Sequence, residues 1–392
     1  MVKKINNIKF KINIITKINL KIFICGPTLY ERCHLGHARI FIFFNFLINL
    51  HKQLGNSPKA VLQLTDIDPK IYQKDYYKTA KIKDISNRYF SYLVEDLNKI
   101  GVQGNFVYSR VSDFLLLIKK DVINILTMKK GYSYAGNVYV NISNNITSPF
   151  NISSNEIKNM PIDISCGKND QRDIIIWNAD NFYMDYLDES ENYESHHKII
   201  LTKGIPGWHF QDCEIIKYVL NGYYDIHGGA IELLYPHHEF IDEILQEISN
   251  KNNIFSKKAW IHIGLVNIKS EKMSNSKGNT IFISDIAKRY SSNALKIFFL
   301  SKNYKHEIEF TIQDLERCEK MNEVIIVKFL EKKDSFHYDD NLKKQLLMNF
   351  LNLLDNDYDT GSAIKFIFGI LNKYDNPTTL IKEMLEILGL KY

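Results

Sequence analysis

The strongest constraint on this chain lies in its first third, where two β-forming runs flank a long apolar helix pattern. Lys21–Cys25 (KIFIC) is a short run of β formers, and Gly26 and Pro27 are expected to stop it. From Gly36 to about Leu50 the pattern is helical and apolar on most sides, so the helix is expected to be buried. Lys59–Leu64 reads as a second strand. Strand, glycine-bearing turn, helix and strand form the opening of a parallel α/β sheet, because parallel neighbours need a crossover that covers one sheet face.

The remainder follows the same logic less regularly. Lys78–Lys99 and Asp113–Lys130 read as helices, and the Asn/Ser-rich stretch Asn141–Asn159 reads as irregular. Asp180–Lys203 is polar, with Asp188, Glu189 and Glu191 clustered, and reads as a surface loop. A second α/β half is expected from near Gly207. It has a strand and turn in Tyr224–Leu234, a helix in Pro236–Ile248 and a strand in Trp260–Val266. From about Thr311 the periodicity is helical. The expected division is 1–69 and 204–310 for the two halves of the sheet, 70–203 for an insertion between them, and 311–392 for a helical region.

Composition closes off other classes. A chain of 392 residues is expected to form two or three domains. With 45% hydrophobic and 24% charged residues, disordered, collagen-like and mucin-like readings fail. A formal charge of +5 is compatible with a nucleic-acid partner without requiring one. Cys25, Cys33, Cys166, Cys213 and Cys318 are sparse and form no CxxC, so a reducing, cytoplasmic setting is expected. The longest apolar run, Ile40–Leu50, is broken by Asn45 and Asn49 and falls short of the roughly 20 residues of a membrane span. No secretory signal or membrane segment is expected, and the absence of a heptad seam points to a monomer.

Two constellations carry chemistry. In CGPTLYERCHLGHAR, His34 and His37 flank Gly36 at the expected start of the long helix. A helix N-terminus offers free N–H groups and a positive dipole end to a phosphate, and two imidazoles add donors. That fragment alone is met equally by a metal pair or by two solvated histidines. In KMSNSKGN, Lys272 and Lys277 sit in a loop of small polar residues after an expected strand, where ammonium groups can close on a triphosphate. Alone, this too is met by a surface loop. The two together, the HxGH turn early in the first α/β half and the KMSNS loop late in the second, form a joint signature that chance rarely produces.

On these residues the chain resembles the class I aminoacyl-tRNA synthetases, and within them the cysteinyl-tRNA synthetase family. The matching segments are CGPTLYERCHLGHAR, LTDID at 64–68, IPGWHFQDC at 205–213, DIHGGAIELLYPHHE at 225–239, WIHIGLV at 260–266 and KMSNSKGN, with weaker similarity through NDYDTGSAI at 356–364. The resemblance implies an α/β fold: a Rossmann-type parallel-sheet catalytic domain with a connecting insertion, followed by a helical C-terminal domain that binds tRNA. It implies that ATP, with Mg²⁺, and L-cysteine form a cysteinyl-adenylate, and that the cysteinyl group then passes to tRNA(Cys). His34, Gly36, His37, Lys272 and Asn275 would meet the ATP phosphates. Gly228 and Gly229 would lie against the adenosine, and Cys25, Thr28 and Trp208 would line the amino-acid pocket.

The resemblance also implies a zinc ion that holds the substrate sulfur, with two Cys, one His and one Glu as its ligands. Here Cys25 and His237 match. Without gaps, the second Cys falls at Asp212 and the Glu at Ile241, which has no donor atom. A shifted reading uses Cys213, His238 and Asp242, with the last two at i and i+4 on one helix face. The expected set is Cys25, Cys213 and His237, with His238, Glu239 or Asp242 as the fourth ligand and Asp212 as an alternate. Two further departures are Glu232 where the family tends to carry Asp, and Asn275 where it carries a second Lys. The chain's last residue is Tyr392, so recognition of the anticodon is expected to be reduced or to fall to the helices alone. Two other functions share these motifs: a ligase that joins cysteine to an amino sugar, and a catalytically impaired synthetase-derived tRNA-binding protein.

Asn275 offers only neutral hydrogen bonds, about half as strong as charge-assisted ones, so Lys277 is expected to supply the missing charge. Lys277→Ala should slow cysteine-dependent ATP–pyrophosphate exchange by about tenfold or more, the scale of losing one positioned charge. A variant that exchanges at nearly the parental rate removes Lys277 from this role.

Overall fold

The computed structural model describes residues 19–73, 82–102, 104–142, 168–170, 172–179, 201–248, 259–273, 278–331, 338–375 and 377–392. At its centre is a five-stranded sheet of β1 (Lys21–Thr28), β2 (Lys59–Thr65), β3 (Val107–Arg110), β8 (Ile226–Ala230) and β9 (Ala259–Ile263), in the order β3-β2-β1-β8-β9. All of its pairings are parallel. The first half of the chain builds one side of β1 and the second half the other.

The two faces of β1 follow the strand's period of two. Ile22 and Ile24 enter one apolar cluster, and Phe23 and Cys25 enter another. The first cluster holds the long helix α1 (Leu35–Gln53), which is buried on nearly all sides as its sequence requires. The second holds Trp177, Phe210 and Cys213. β1 runs on through Gly26 and Pro27 to Thr28, beyond the expected stop at Cys25. A register shift between Cys25 and Thr28 absorbs the step, and at Gly26 an added Cβ would lie 2.0 Å from the Gln63 carbonyl oxygen. Glycine is therefore what lets β1 continue beside β2.

The other helices that frame the sheet are α2 (Ile82–Lys99), α3 (Leu115–Thr127), α4 (Trp208–Val219), α5 (Glu239–Ile248) and α6 (Ser292–Leu300). The sequence pattern did not anticipate an antiparallel sheet of β4 (Gly131–Tyr134), β5 (Asn137–Val140), β6 (Ile174–Ala179) and β7 (Gly204–Pro206). Its strands are too short for a periodic signal. Residues 143–167 and 180–200 lie outside the described residues, as do the parts of the Asn/Ser-rich and polar stretches that fall there. The strand expected at Trp260–Val266 is divided: β9 ends at Ile263, and β10 (Val266–Ile268) pairs with β11 (Glu271–Lys272) and β12 (Ile308–Glu309).

Beyond β12 lie α7 (Ile312–Leu330), α8 (Asp340–Asp355), α9 (Thr360–Lys373) and α10 (Thr378–Ile387). Their inward residues, among them Leu315, Phe350, Ile367 and Ile381, belong to the same apolar cluster as α1. The helical region and the sheet thus share one core. No helix among the described residues is long and apolar enough to cross a membrane.

Arg39 on α1 is 2% exposed, and its guanidinium donates to four backbone carbonyls: Gly264 at 2.5 Å, Leu265 at 3.0 Å, Asn303 at 2.9 Å and His306 at 2.8 Å. Desolvation lowers its pKa to about 10, so it remains charged at neutral pH. Arg39→Met would take this donor from the Gly264, Asn303 and His306 carbonyls in a largely buried setting, while Leu265 keeps its bond from the Ile308 N–H. It should lower the unfolding free energy by about 3 kcal/mol or more, the scale of breaking a buried charged contact. Urea unfolding checks this, and a loss below about 1 kcal/mol contradicts the role.

Candidate active site

The two histidines of HLGH cap the helix that they begin. His34 is the N-cap of α1, and its Nδ1 accepts from the Gly36 N–H at 3.1 Å. The His37 Nδ1 accepts from the His34 N–H at 3.3 Å, and the two rings stack with centroids 3.9 Å apart. This reciprocal cap uses Nδ1 of both rings as acceptors. Burial, foremost, lowers the His34 pKa to about 4; it puts His37 well below the usual range, with the neighbouring His34 adding to the effect. Both rings are therefore neutral near pH 7. With Nδ1 accepting, each carries its proton on Nε2, a neutral donor at a helix N-terminus.

His34 and His37 line a cleft of about 240 Å³ together with Cys25, Thr28, Trp208 and His237. One cleft therefore joins the expected phosphate residues to the expected amino-acid residues. Lys272 stands at its rim, in an ion pair with Glu232, and both side chains are about half exposed. Met273 is buried, with its Cε 3.7 Å from where a Gly36 Cβ would lie, and His34 bridges to Phe282. These contacts dock the segment after β10 on the start of α1. Asn275 and Lys277 lie outside the described residues. Gly228 faces α1, where an added Cβ would fall 2.0 Å from Phe44 Cζ, and Gly229 faces His238. Their smallness lets β8 approach the helix and the histidine layer.

At the floor of the cleft, Asp212 holds two partners. The Cys25 Sγ donates to Asp212 Oδ2 at 3.2 Å, and His237 Nε2 meets the same oxygen at 3.1 Å. Trp208 stacks on His237 with centroids 4.1 Å apart, and His209 Nδ1 lies 2.8 Å from His237 Nδ1. Cys25, Asp212 and His237 form one buried three-donor set within 4.8 Å, and Cys25, His227 and His238 form another. Among the described residues neither set gains a fourth His, Cys, Asp or Glu.

The structure groups the expected ligands differently. Cys213 and Asp242 are in neither of the two sets among the described residues. One residue along a helix is a turn of about 100°, so Cys213 points away from Asp212's direction. Its sulfur is buried in the second apolar cluster and lies 3.5 Å from the Ile241 carbonyl. Asp242 is taken by the Tyr224 hydroxyl at 3.1 Å and by the Gln246 amide at 2.9 Å. Glu239 is buried at the start of α5 and joins neither set. His238 goes to the second set, its Nδ1 2.9 Å from His262 Nε2. Asp212, the alternate, occupies the central place.

The family model for the catalytic domain of class I (C) tRNA synthetases matches residues 11–320. The chain belongs to the class I cysteinyl-tRNA synthetase family. Curated relatives include a cysteine–tRNA ligase of Wigglesworthia glossinidia brevipalpis, 28% identical over all of this chain and 85% of the relative. Another, from Methanococcus maripaludis, is 28% identical over 95% of this chain and 79% of the relative. Among solved structures, a LeuRS–tRNA–LeuAMS ternary complex of Agrobacterium radiobacter K84 aligns with a TM-score of 0.67 at 9% identity, covering 94% of this chain and 82% of that one. Mycobacterium tuberculosis methionyl-tRNA synthetase with methionyl-adenylate aligns at 0.61 and 11% identity, covering 95% and 90%. At these identities the structural likeness concerns the fold, which is that of the class I synthetases.

In this synthetase the three-donor set at Asp212 suits a metal ion. Its donors are a sulfur, a carboxylate oxygen and an imidazole nitrogen, a combination that zinc accepts. Asp212 Oδ1 is buried with no hydrogen-bond partner, a costly state that a cation would relieve. Burial, foremost, and then the Asp212 charge hold the Cys25 thiol well above its usual pKa; a bound cation reverses that balance.

His227 was missed by sequence reasoning, yet its Nε2 lies 3.3 Å from Cys25 Sγ. The motif HGG drew attention to the glycines instead. The signal is the parallel register, in which Phe23 pairs with His227, so that His227 shares a sheet face with Phe23 and Cys25. His209, Trp260 and His262 escaped notice likewise.

The depressed pKa of His34 has a definite sign. An unfolded His34 titrates near 6.5 and the folded ring near 4, so the folded state binds fewer protons in that window. This ring therefore weighs against the folded state increasingly as pH falls from 6.5 toward 4, and not above it. NMR titration of the free protein should find the His34 ring neutral at roughly pH 5.5, a unit below the ordinary value. A ring that titrates at the ordinary value contradicts the neutral-donor assignment.

Proposed function

We propose that this synthetase joins L-cysteine to tRNA(Cys) through a cysteinyl-adenylate. The observation that carries this reading is the single cleft with HLGH histidines at one end and a buried Cys25–Asp212–His237 set at the other. In this reading ATP arrives as its Mg²⁺ complex. The Nε2–H groups of His34 and His37 donate to its phosphates at the start of α1, Gly36 leaves room for them, and Lys272 exchanges Glu232 for a phosphate oxygen. Asn275 and Lys277 extend the same loop, and Gly228 and Gly229 allow close approach on the adenosine side. Thr28 and Trp208 orient the amino acid, whose carboxylate then meets the α-phosphate.

Cys25, Asp212 and His237 are the residues that would hold zinc. When bound, zinc supplies a position that favours a thiolate over a serine hydroxyl. Buried Trp177, Phe210 and Ile241 behind this set keep water from its far side. The names of the curated relatives, each a cysteine–tRNA ligase, support the substrate. The helices α7–α10 support tRNA, rather than an amino sugar, as the acceptor, because a small amine needs no such surface. The intact HLGH cap and Lys272 support a working enzyme over an impaired binding protein. The four described cysteines are free thiols, which supports a reducing, cytoplasmic setting.

ATP–pyrophosphate exchange tests the reading. It should require cysteine, with serine at least about a hundredfold slower, as expected where one donor atom decides recognition. His237→Ala should reduce exchange with cysteine by about tenfold or more, the lower scale for loss of a metal-site residue. Folded protein that exchanges with neither amino acid sinks the proposal, and exchange with cysteine but no charging of tRNA(Cys) shifts it to another acceptor.

A further inference from the structure

Cys25 has a second group of neighbours, which lie behind the cleft rather than in it. His227 on β8 and His238 just before α5 are fully buried and form no part of the cleft wall, whereas Cys25 and His237 do. His227 Nε2 lies 3.3 Å from Cys25 Sγ. A metal with bonds of about 2.3 Å to sulfur and about 2.0 Å to nitrogen, at a tetrahedral angle, sets two such atoms about 3.5 Å apart. Cys25, His227 and His238 each place a donor atom within 4.8 Å of the others. His238 Nε2 is buried with no hydrogen-bond partner, and its Nδ1 is 2.9 Å from His262 Nε2. With Nδ1–H donating to His262, the Nε2 lone pair is left for a ligand, the orientation that outer hydrogen bonds give to metal-binding histidines. Trp260 stacks on His227 with centroids 4.5 Å apart and holds that ring in place.

We infer that the protein has a second, closed metal position, Cys25–His227–His238, which takes a thiophilic transition-metal ion behind the cleft floor and meets no substrate. The set offers one sulfur, two imidazoles and no carboxylate, so it is softer than the Asp212 set. The Cys25 thiol gives its proton to solvent when the ion binds. The ion ties β1 to β8 and to the start of α5, three segments far apart in the chain. One sulfur serves both sets, so each position is read with the other disabled. The inference stands without the metal role proposed for Asp212 and His237.

The test is a Co²⁺ titration of metal-free, full-length Asp212→Asn/His237→Gln protein, followed by sulfur-to-cobalt charge-transfer absorption and by X-ray absorption at the cobalt edge. About one equivalent of cobalt should bind, with a sulfur and two imidazoles around it. Adding His227→Gln and His238→Gln should weaken cobalt binding by about a hundredfold or more, beyond the cost of losing an outer partner. His237→Gln alone, which leaves Asp212 in place, is the second variant and should give the same cobalt spectrum. Zinc and, without oxygen, copper(I) are then added as competitors, and at least one should displace the cobalt. Folded variants that bind no cobalt while the wild type does, or bind it without sulfur, overturn the inference alone. So does cobalt that survives loss of both His227 and His238, or that neither competitor displaces. Variants that bind cobalt as the wild type does keep the inference and remove Asp212 and His237 from the metal reading above. Absence of cobalt binding in every form overturns both.

Discussion

Arg39 fixes the relation between the start of α1 and the second half of the chain. Its guanidinium gathers carbonyls from Gly264 and Leu265, just after β9, and from Asn303 and His306, just before β12. Arg39 lies two residues after His37 on α1, so the same turn that aims the imidazoles also anchors the second half of the chain. The planar fork suits this task better than a Lys, because several acceptors are met at once without deprotonation. Met273 over Gly36 and the bridge from His34 to Phe282 then bring the Lys272 segment to the helix start. Geometry that looks local in sequence, HLGH in one place and KMSNS in another, depends on this one buried cation.

The second constraint is charge at the cleft floor. Asp212 is fully buried, and its Oδ2 is shared between a thiol and an imidazole. An acidic side chain in such a place is tolerated only when partners or a cation compensate it. With Cys25 as a neutral donor the set is self-consistent but leaves Oδ1 unmet. The same three residues therefore satisfy one another in part and remain able to accept a metal. A carboxylate makes the set harder than two thiolates would, so the sulfur of Cys25 carries most of its preference for soft ligands.

Much of the fold was legible because burial writes itself into period and length. KIFIC, the apolar helix after it and Lys59–Leu64 lie where expected, since each faces hydrocarbon on two sides. The helices after Thr311 follow a clear 3.6-residue repeat. The antiparallel sheet was not legible, because Gly131–Tyr134 and Gly204–Pro206 are three or four residues long and make their partners at a distance. The choice between Asp212 and Cys213 depended on helix phase. Composition argues for the sulfur, yet the phase set by Trp208 on α4 sends Asp212 toward Cys25 and Cys213 into the core. His227 needed tertiary information of another kind, the register of two strands separated by about two hundred residues in the chain.

That register also explains how events at the two ends of the cleft can be joined. β8 carries His227 against Cys25, passes Gly228 and Gly229 along α1 and the histidine layer, and leads within two residues of its end to Glu232. Glu232 holds Lys272 in a half-exposed ion pair, a contact whose net worth is at most about 1 kcal/mol. Such a weak tether holds the lysine at the rim of the cleft and is readily exchanged for another acceptor. The sulfur end of β8 is dry and closely packed, while the Glu232 end is wet and exchangeable. One short strand thus joins the buried sulfur set to the half-exposed ion pair at the rim, without a separate element for each.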